Sequence, residues 1–255
     1  MARFDAVLCD IDGVLHVGDT PLSGASRAIE RLRSAGIRLC FLTNTTRKPR
    51  RIILSRLNGM GLDIRGEELL TPSRAALDWL AAKQRKAHLL IHPDLREDFA
   101  GVEDGPDAAV VLGDAAEGFT YAALNECFRR IVSEAPFLAL ARNRYFRESD
   151  GLSLDMGAYV VGLEYATGRE AITLGKPARA FFEAALSIAG ADAKSAVMIG
   201  DDVEADVNGA IAAGLHGILV QTGKYAETDK ASLAKGGIVA RDIGAAVDSV
   251  IGDRS

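Results

Sequence analysis

Cysteine is scarce in this sequence. Three occur in 255 residues, Cys9, Cys40 and Cys127, with no C-x-x-C spacing. So sparse and odd a set argues against a disulfide framework or a zinc site. Cys9 and Cys40 lie inside apolar runs and read as small core residues, because a buried thiol behaves as a small hydrophobe. The setting they suggest is reduced and cytoplasmic. Basic charge is not in surplus either: 30 Lys and Arg face 35 Asp and Glu, for a formal net charge of -5. That balance argues against broad nucleic-acid binding. No apolar run approaches the ~20 residues of a membrane span, and the opening MARFDAVLCD lacks the layout of a signal peptide. Aromatics are few, and Trp79 and the scattered Phe residues read as core rather than as a binding box.

What is present is the composition of a soluble globular protein, 48% apolar and 25% charged, long enough for one large domain or two small ones. Short apolar runs alternate with helical patterns. Residues 4–9 and 37–42 read as strands, and so do 196–200 and 217–221. Residues 23–35 read as a helix with Ala25, Ala28, Ile29 and Leu32 on one face and Gly36 as its stop. Further helices are expected over 47–59, with Ile52, Ile53, Leu54 and Leu57 toward the core, over 177–189 and over 204–213. Such alternation implies an α/β fold, a parallel sheet with helices on both faces, whose ligands bind beyond the carboxyl ends of the strands. At Thr71-Pro72-Ser73 the chain restarts, with Ser73 a suitable helix cap. The stretch that follows carries strand patterns over 87–91, 108–112 and 137–141 and helical ones over 121–133 and 158–166. It reads as a second α/β unit inserted into the first, residues 77–171 within a core of 1–76 and 172–255.

Four strand ends on one side of the sheet carry polar residues. Asp10 and Asp12, in DIDGV, place two carboxylates two residues apart; a carboxylate can be a nucleophile, a proton carrier or a ligand for a hard cation. Like charges this close raise one pKa unless a cation intervenes. Thr43 and Asn44, in FLTNTT, offer a hydroxyl and an N–H suited to phosphate oxygens, or simply a capping loop. Lys176, in LGKPARAFFEAA, falls at the expected cap of the next helix, where a cation opposes the helix dipole. The conflict resolves if an anion sits between them, or if the lysine reaches into solvent. Asp201 and Asp202, in VMIGDDVEADVNGA, read as cation ligands, with Asp202 alternatively the cap of the helix and Asp206 one turn on. Together these are the parts of a Mg²⁺-assisted reaction of a phosphate. His16 lies near the first acids, but it and His88, His92 and His216 form no ligand spacing, and His16 reads as structural or solvent-facing.

DIDGV, FLTNTT, GKP and GDDVEAD, in this order, resemble the four motifs of the haloacid dehalogenase (HAD) superfamily. The long insert resembles its C2-capped class IIA branch, which includes NagD-like and 4-nitrophenylphosphatase-like enzymes. RYFRESDGLSLDMGAYVVGLEYATG and VMIGDDVEADVNGA are similar to phospholysine phosphohistidine inorganic pyrophosphate phosphatase-like proteins. The resemblance implies a Rossmann-like core with an inserted C2 cap, and a Mg²⁺-dependent phosphatase of small phosphorylated metabolites. It implies Asp10 as nucleophile, Asp12 as general acid and base, and Thr43, Asn44 and Lys176 on the phosphate. Mg²⁺ is then held by Asp10, the Asp12 carbonyl and Asp201, with Asp202 and Asp206 in support. Some close relatives carry Ser in place of Asp12; its presence here favours the full apparatus. The cap would exclude water and choose the leaving group, with Arg142, Arg144 and Tyr145 (and Arg147 beside them) as candidate contacts for a second anionic group. A homodimer is also implied. Hydrolysis of pyrophosphate or of P–N bonds at the same site, and a non-catalytic phospholigand-binding module, are the competing readings.

Overall fold

The computed structural model describes residues 4–148 and 151–252, without the side chains of Arg147 and Glu148. The chain divides into two units. The first holds the residues up to Thr43, Ile53–Leu70, and Lys176 onward; the second holds Asn44–Ile52 and Thr71–Gly175. The divisions fall at Leu70/Thr71 and Gly175/Lys176 rather than at 76/77 and 171/172. The segment after FLTNTT also groups with the second unit, which no local pattern announced.

The first unit is built on a parallel sheet of β1 (Ala6–Asp10), β2 (Arg38–Leu42), β3 (Leu69–Leu70), β4 (Ala196–Gly200), β5 (His216–Val220) and β6 (Ile238–Ala240), in the order β6-β5-β4-β1-β2-β3. β1 and β4 are buried along their whole length, as central strands of a sheet covered on both faces must be. This is why AVLC and AVMI are unbroken apolar runs. Helix Ala25–Ser34 buries Ala25, Ala28, Ile29 and Leu32, the expected face, and packs on helix Ile243–Ile251. Both join Val7, Cys9, Val197 and Ile199 in one apolar cluster. Helix Arg179–Ala189 covers β1 and β2 with Phe181, Phe182, Ala185 and Leu186, and Gly190 ends it in the left-handed conformation. Burying each Phe is worth about 1.5–3 kcal/mol.

The second unit carries a smaller parallel sheet. Its strand order is Ile172–Thr173, Phe137–Ala139, Ala109–Leu112, Ala87–Leu90. Helices Tyr121–Val132 and Gly157–Thr167 pack on each other, and an antiparallel pair joins Tyr145–Glu148 to Gly151–Leu154. No helix among the described residues is long and apolar enough to cross a membrane.

Three local expectations are corrected. The helix after FLTNTT begins at Arg50, not at residue 47, because Lys48 precedes Pro49 and is pushed out of the helical region. That start buries Ile53 and Leu57 and leaves Ile52 37% exposed. Thr71, not Ser73, caps helix Pro72–Ala82: Pro72 takes the first helical position, and Thr71 Oγ1 accepts the Arg74 N–H at 3.2 Å. The helix after GKP starts at Arg179, with Ala178 as its cap, so Lys176 is not a cap residue.

Candidate active site

The strand order reverses between β1 and β4. From β1 the sheet grows through β2 and β3 on one side, and from β4 through β5 and β6 on the other. A crevice opens beyond the carboxyl ends at such a switch point. Asp10 is the last residue of β1 and Asp201 the first after β4. The two strands pair in register up to Cys9 and Ile199, so the acids leave the sheet side by side. Asp206 arrives from the wide, π-type turn Val203–Asn208 that follows. Gly200 lets it in: a Cβ there would collide with the Asp206 side chain. One carboxylate oxygen from each of Asp10, Asp201 and Asp206 lies within 4.8 Å of the others, and all three residues are buried.

Lys176 is the counter-charge. It is 4% exposed, so the solvent-facing reading is wrong. Its ammonium donates to Asp10 Oδ1 and sits 2.7 Å from Asp206 Oδ1. Burial works against the charged form of Lys176, but Asp10 and Asp206 more than reverse this and hold its pKa above the ordinary lysine value. The carboxylates remain in excess. Burial pushes Asp10 to about 6, against the pull of Lys176. Burial pushes Asp206 to about 6 as well, helped by Asp10. Asp201 is raised to about 6 by burial, offset by the Lys224 N–H. Asp201 Oδ1 is buried with no hydrogen-bond partner, a costly state for a carboxylate oxygen. Clustered carboxylate oxygens with one left bare and too little positive charge suit a hard divalent cation.

The sign of the pH dependence follows. A carboxyl raised from 3.8 to about 6 binds protons more readily folded than unfolded. Its contribution to stability is full below the unfolded value and is lost as pH rises through about 6. The metal-free protein should therefore lose stability from these groups between about pH 4 and pH 6. A cation competes with those protons, so the Tm gain on adding saturating Mg²⁺ should be larger at the higher pH. Thermal melts with Mg²⁺ and with EDTA check this; an equal gain at both pH values would contradict it.

A profile described as haloacid dehalogenase-like hydrolase matches residues 7–103, and a second, described as HAD-hydrolase-like, matches residues 173–246. The haloacid dehalogenase-like hydrolase domain-containing protein 2 of Rattus norvegicus is 43% identical over 88% of this chain and 87% of its own. The chain belongs to the haloacid dehalogenase-like hydrolase family. The phospholysine phosphohistidine inorganic pyrophosphate phosphatase of Danio rerio is 38% identical over 97% of this chain and 94% of that protein. Among solved structures, a p-nitrophenyl phosphatase from Archaeoglobus fulgidus superposes with a TM-score of 0.88 at 26% identity, covering 96% of this chain and 99% of that one. A glycerol phosphate phosphatase from Mycobacterium tuberculosis, solved in complex with magnesium, gives 0.80 at 26% identity over 95% of this chain and 76% of that one.

The other candidates of this HAD hydrolase fall as follows. Thr43 is buried at the end of β2, its N–H donating to the Leu70 carbonyl at 3.3 Å. Asn44, in the second unit, has its side chain against Gly175, the residue before Lys176. Asp202 caps the turn after β4, accepting the Glu204 and Ala205 N–H groups, and its N–H donates to Asp206 Oδ2 at 3.1 Å. The Asp12 side chain is 58% exposed. His16, read as structural or solvent-facing, is buried: Nδ1 donates to the Gly18 carbonyl at 2.9 Å and Nε2 lies 3.5 Å from Asp12 Oδ1. In the second unit Arg142 is paired with Glu164 through both its terminal nitrogens, at 2.6 and 2.9 Å. Arg144 and Tyr145 are exposed, and the side chain of Arg147 lies outside the described residues. The sequence reading missed Arg47, whose guanidinium bonds Asp114 at 2.5 Å and lies over the Phe146 ring. It also missed the turn after β5, although a Gly three residues beyond a strand on the loaded edge of the sheet was a usable signal.

Proposed function

We propose that this HAD hydrolase is a Mg²⁺-dependent phosphatase of small phosphorylated metabolites, working through an aspartyl-phosphate. The observation that carries the reading is the buried cluster of Asp10, Asp201 and Asp206 at the switch point of the sheet, with Lys176 paired to Asp10 and Asp206. Mg²⁺ would be held by the carboxylates of Asp10 and Asp201 and the Asp12 carbonyl, and Asp202 and Asp206 would support it. When bound it supplies the positive charge that lets an anionic nucleophile approach an anionic phosphate. Thr43, Asn44 and Lys176 hold the phosphate oxygens. The Asp10 carboxylate attacks phosphorus, and the bond to the leaving oxygen breaks as Asp12 gives that oxygen its proton. Asp12, now a carboxylate, takes a proton from the water that attacks the aspartyl-phosphate, releasing phosphate and restoring Asp10. An exposed Asp12 beside a buried Asp10 suits this division of labour: one meets solvent and leaving group, the other is shielded.

The test is phosphate release from 4-nitrophenyl phosphate. Turnover with Mg²⁺ that disappears in EDTA is expected; metal-independent turnover, or none on any of a panel of phosphate esters, would overturn the reading. Hydrolysis of pyrophosphate or of P–N bonds is a second reading, favoured by the 38% identity to the Danio rerio relative. The same panel separates the two by including pyrophosphate and a phosphoramidate. The second unit, read as a C2 cap, selects the leaving group. Its exposed Arg144 is a better candidate for this than Arg142, which Glu164 already holds. Arg144→Ala should change the ranking of substrates more than it slows the small nitrophenyl ester; equal losses on all would remove it from selection. Three buried, unpaired cysteines support a reducing, cytoplasmic setting.

A further inference from the structure

The turn Gln221-Thr222-Gly223-Lys224 belongs to none of the four motifs, yet three successive residues of it are engaged at the loaded edge of the core sheet. It follows β5, the strand beside β4. Thr222 Oγ1 donates to the Gly13 carbonyl at 2.6 Å. Gly223 packs its Cα on Gly13, and both take positive φ, 61° and 83°. A Cβ on either would overlap the Asp201 carboxylate. The Lys224 main-chain N–H donates to Asp201 Oδ2 at 2.7 Å. Asp201 Oδ1, the other oxygen, is the bare one.

We propose that the Thr222–Lys224 turn is the positioning element of Asp201: it occupies one carboxylate oxygen and turns the other toward the cation shared with Asp10. The inference rests on the reading of this site as a Mg²⁺ site, and adds residues outside the acidic cluster that set its affinity. The physical case has three parts. A carboxylate with both oxygens free swings about its terminal torsion and must be ordered on binding; one held by an N–H is ordered beforehand. The turn is itself anchored to Gly13, the residue after Asp12, through the Thr222 hydroxyl, so the two loops that carry Asp12 and Lys224 are one piece. Glycine is required at 13 and at 223 because the carboxylate fills the space a side chain would take.

The experiment is calorimetric titration of Mg²⁺ into the metal-free protein, with apo melting temperatures measured alongside. The variants are Gly223→Ala, Thr222→Val, Thr222→Ser and Gly236→Ala. Gly236 also has positive φ, 98°, but open space where its Cβ would go, so its variant reports the backbone strain without touching Asp201. Gly223→Ala is expected to weaken Mg²⁺ binding roughly 10- to 100-fold, the range for partners that orient metal ligands. Thr222→Val should weaken it several-fold, and Thr222→Ser, which keeps the hydroxyl, should stay within about twofold of wild type. Gly236→Ala should lower the apo Tm and leave the Mg²⁺ affinity alone. If Gly223→Ala does not fold, the Thr222 pair decides. Wild-type binding with Thr222→Val and any folded Gly223→Ala binding as tightly overturns the inference and leaves the site reading standing. A wild type that binds no Mg²⁺ removes both.

Discussion

Asp10→Asn should cut phosphate release from 4-nitrophenyl phosphate by at least about four orders of magnitude while leaving the far-UV circular dichroism unchanged. The size of the effect comes from chemistry and not from packing. Asn has the shape of Asp and can still accept from Lys176, so the buried environment of the side chain is conserved. It carries no anionic oxygen to attack phosphorus, and no neighbour can take its place. Asp201 has one oxygen committed to the Lys224 N–H, and Asp206 has its oxygens engaged by Lys176 and by the Asp202 N–H. Removing one of three crowded carboxylates also relieves repulsion, because Asp10 raises the pKa of Asp206. The variant is therefore not expected to melt early. Substantial hydrolysis by a folded Asp10→Asn protein would remove Asp10 as the nucleophile. Loss of activity together with loss of fold would mean that the residue is a structural anchor first.

The parts of this site that the sequence announced share one physical property. Central strands of a parallel sheet are apolar from end to end, so an acid at the end of such a run is conspicuous, and Asp10 and Asp201 both stand there. The amphipathic face of Ala25–Ser34 was legible for the same reason, since burial imposes its period on the sequence. What stayed hidden depends on contacts between distant segments. Lys176 reads locally as a charged residue before a helix; only its pairing with Asp10, 166 residues away, shows that it belongs in the interior. His16 looked idle because the partner of its Nδ1, the Gly18 carbonyl, is backbone and leaves no trace in residue type. The Thr222–Lys224 turn was passed over on the same ground: an N–H, a carbonyl and two close Cα atoms make most of its contacts. The grouping of residues 44–52 with the second unit is likewise tertiary, and a helical pattern ran straight through it.

Lys176→Met should give the largest loss of stability of any change among the charged residues of the site. Methionine fills similar space without charge, so the variant isolates the ammonium. Asp10 and Asp206 would then be buried together without the cation that now touches both. Breaking a buried pair from one side costs about 3–5 kcal/mol, because it strands the partner's charge. The cost should depend on pH in a definite direction. In the wild type the two carboxyls are ionised above about 6; as pH falls through that value they take up protons and need the ammonium less. The Tm deficit of Lys176→Met against wild type, in EDTA, should thus be widest near pH 7.5 and narrow toward pH 5. Saturating Mg²⁺ should recover part of it by returning positive charge next to Asp10. Lys176→Arg separates charge from fit: a planar guanidinium has no room at a site only 4% exposed, so retained charge alone should not restore the protein. A deficit independent of pH would assign the loss to packing. A Lys176→Met protein as stable as wild type at neutral pH would mean that the carboxyls of the folded protein are already protonated there.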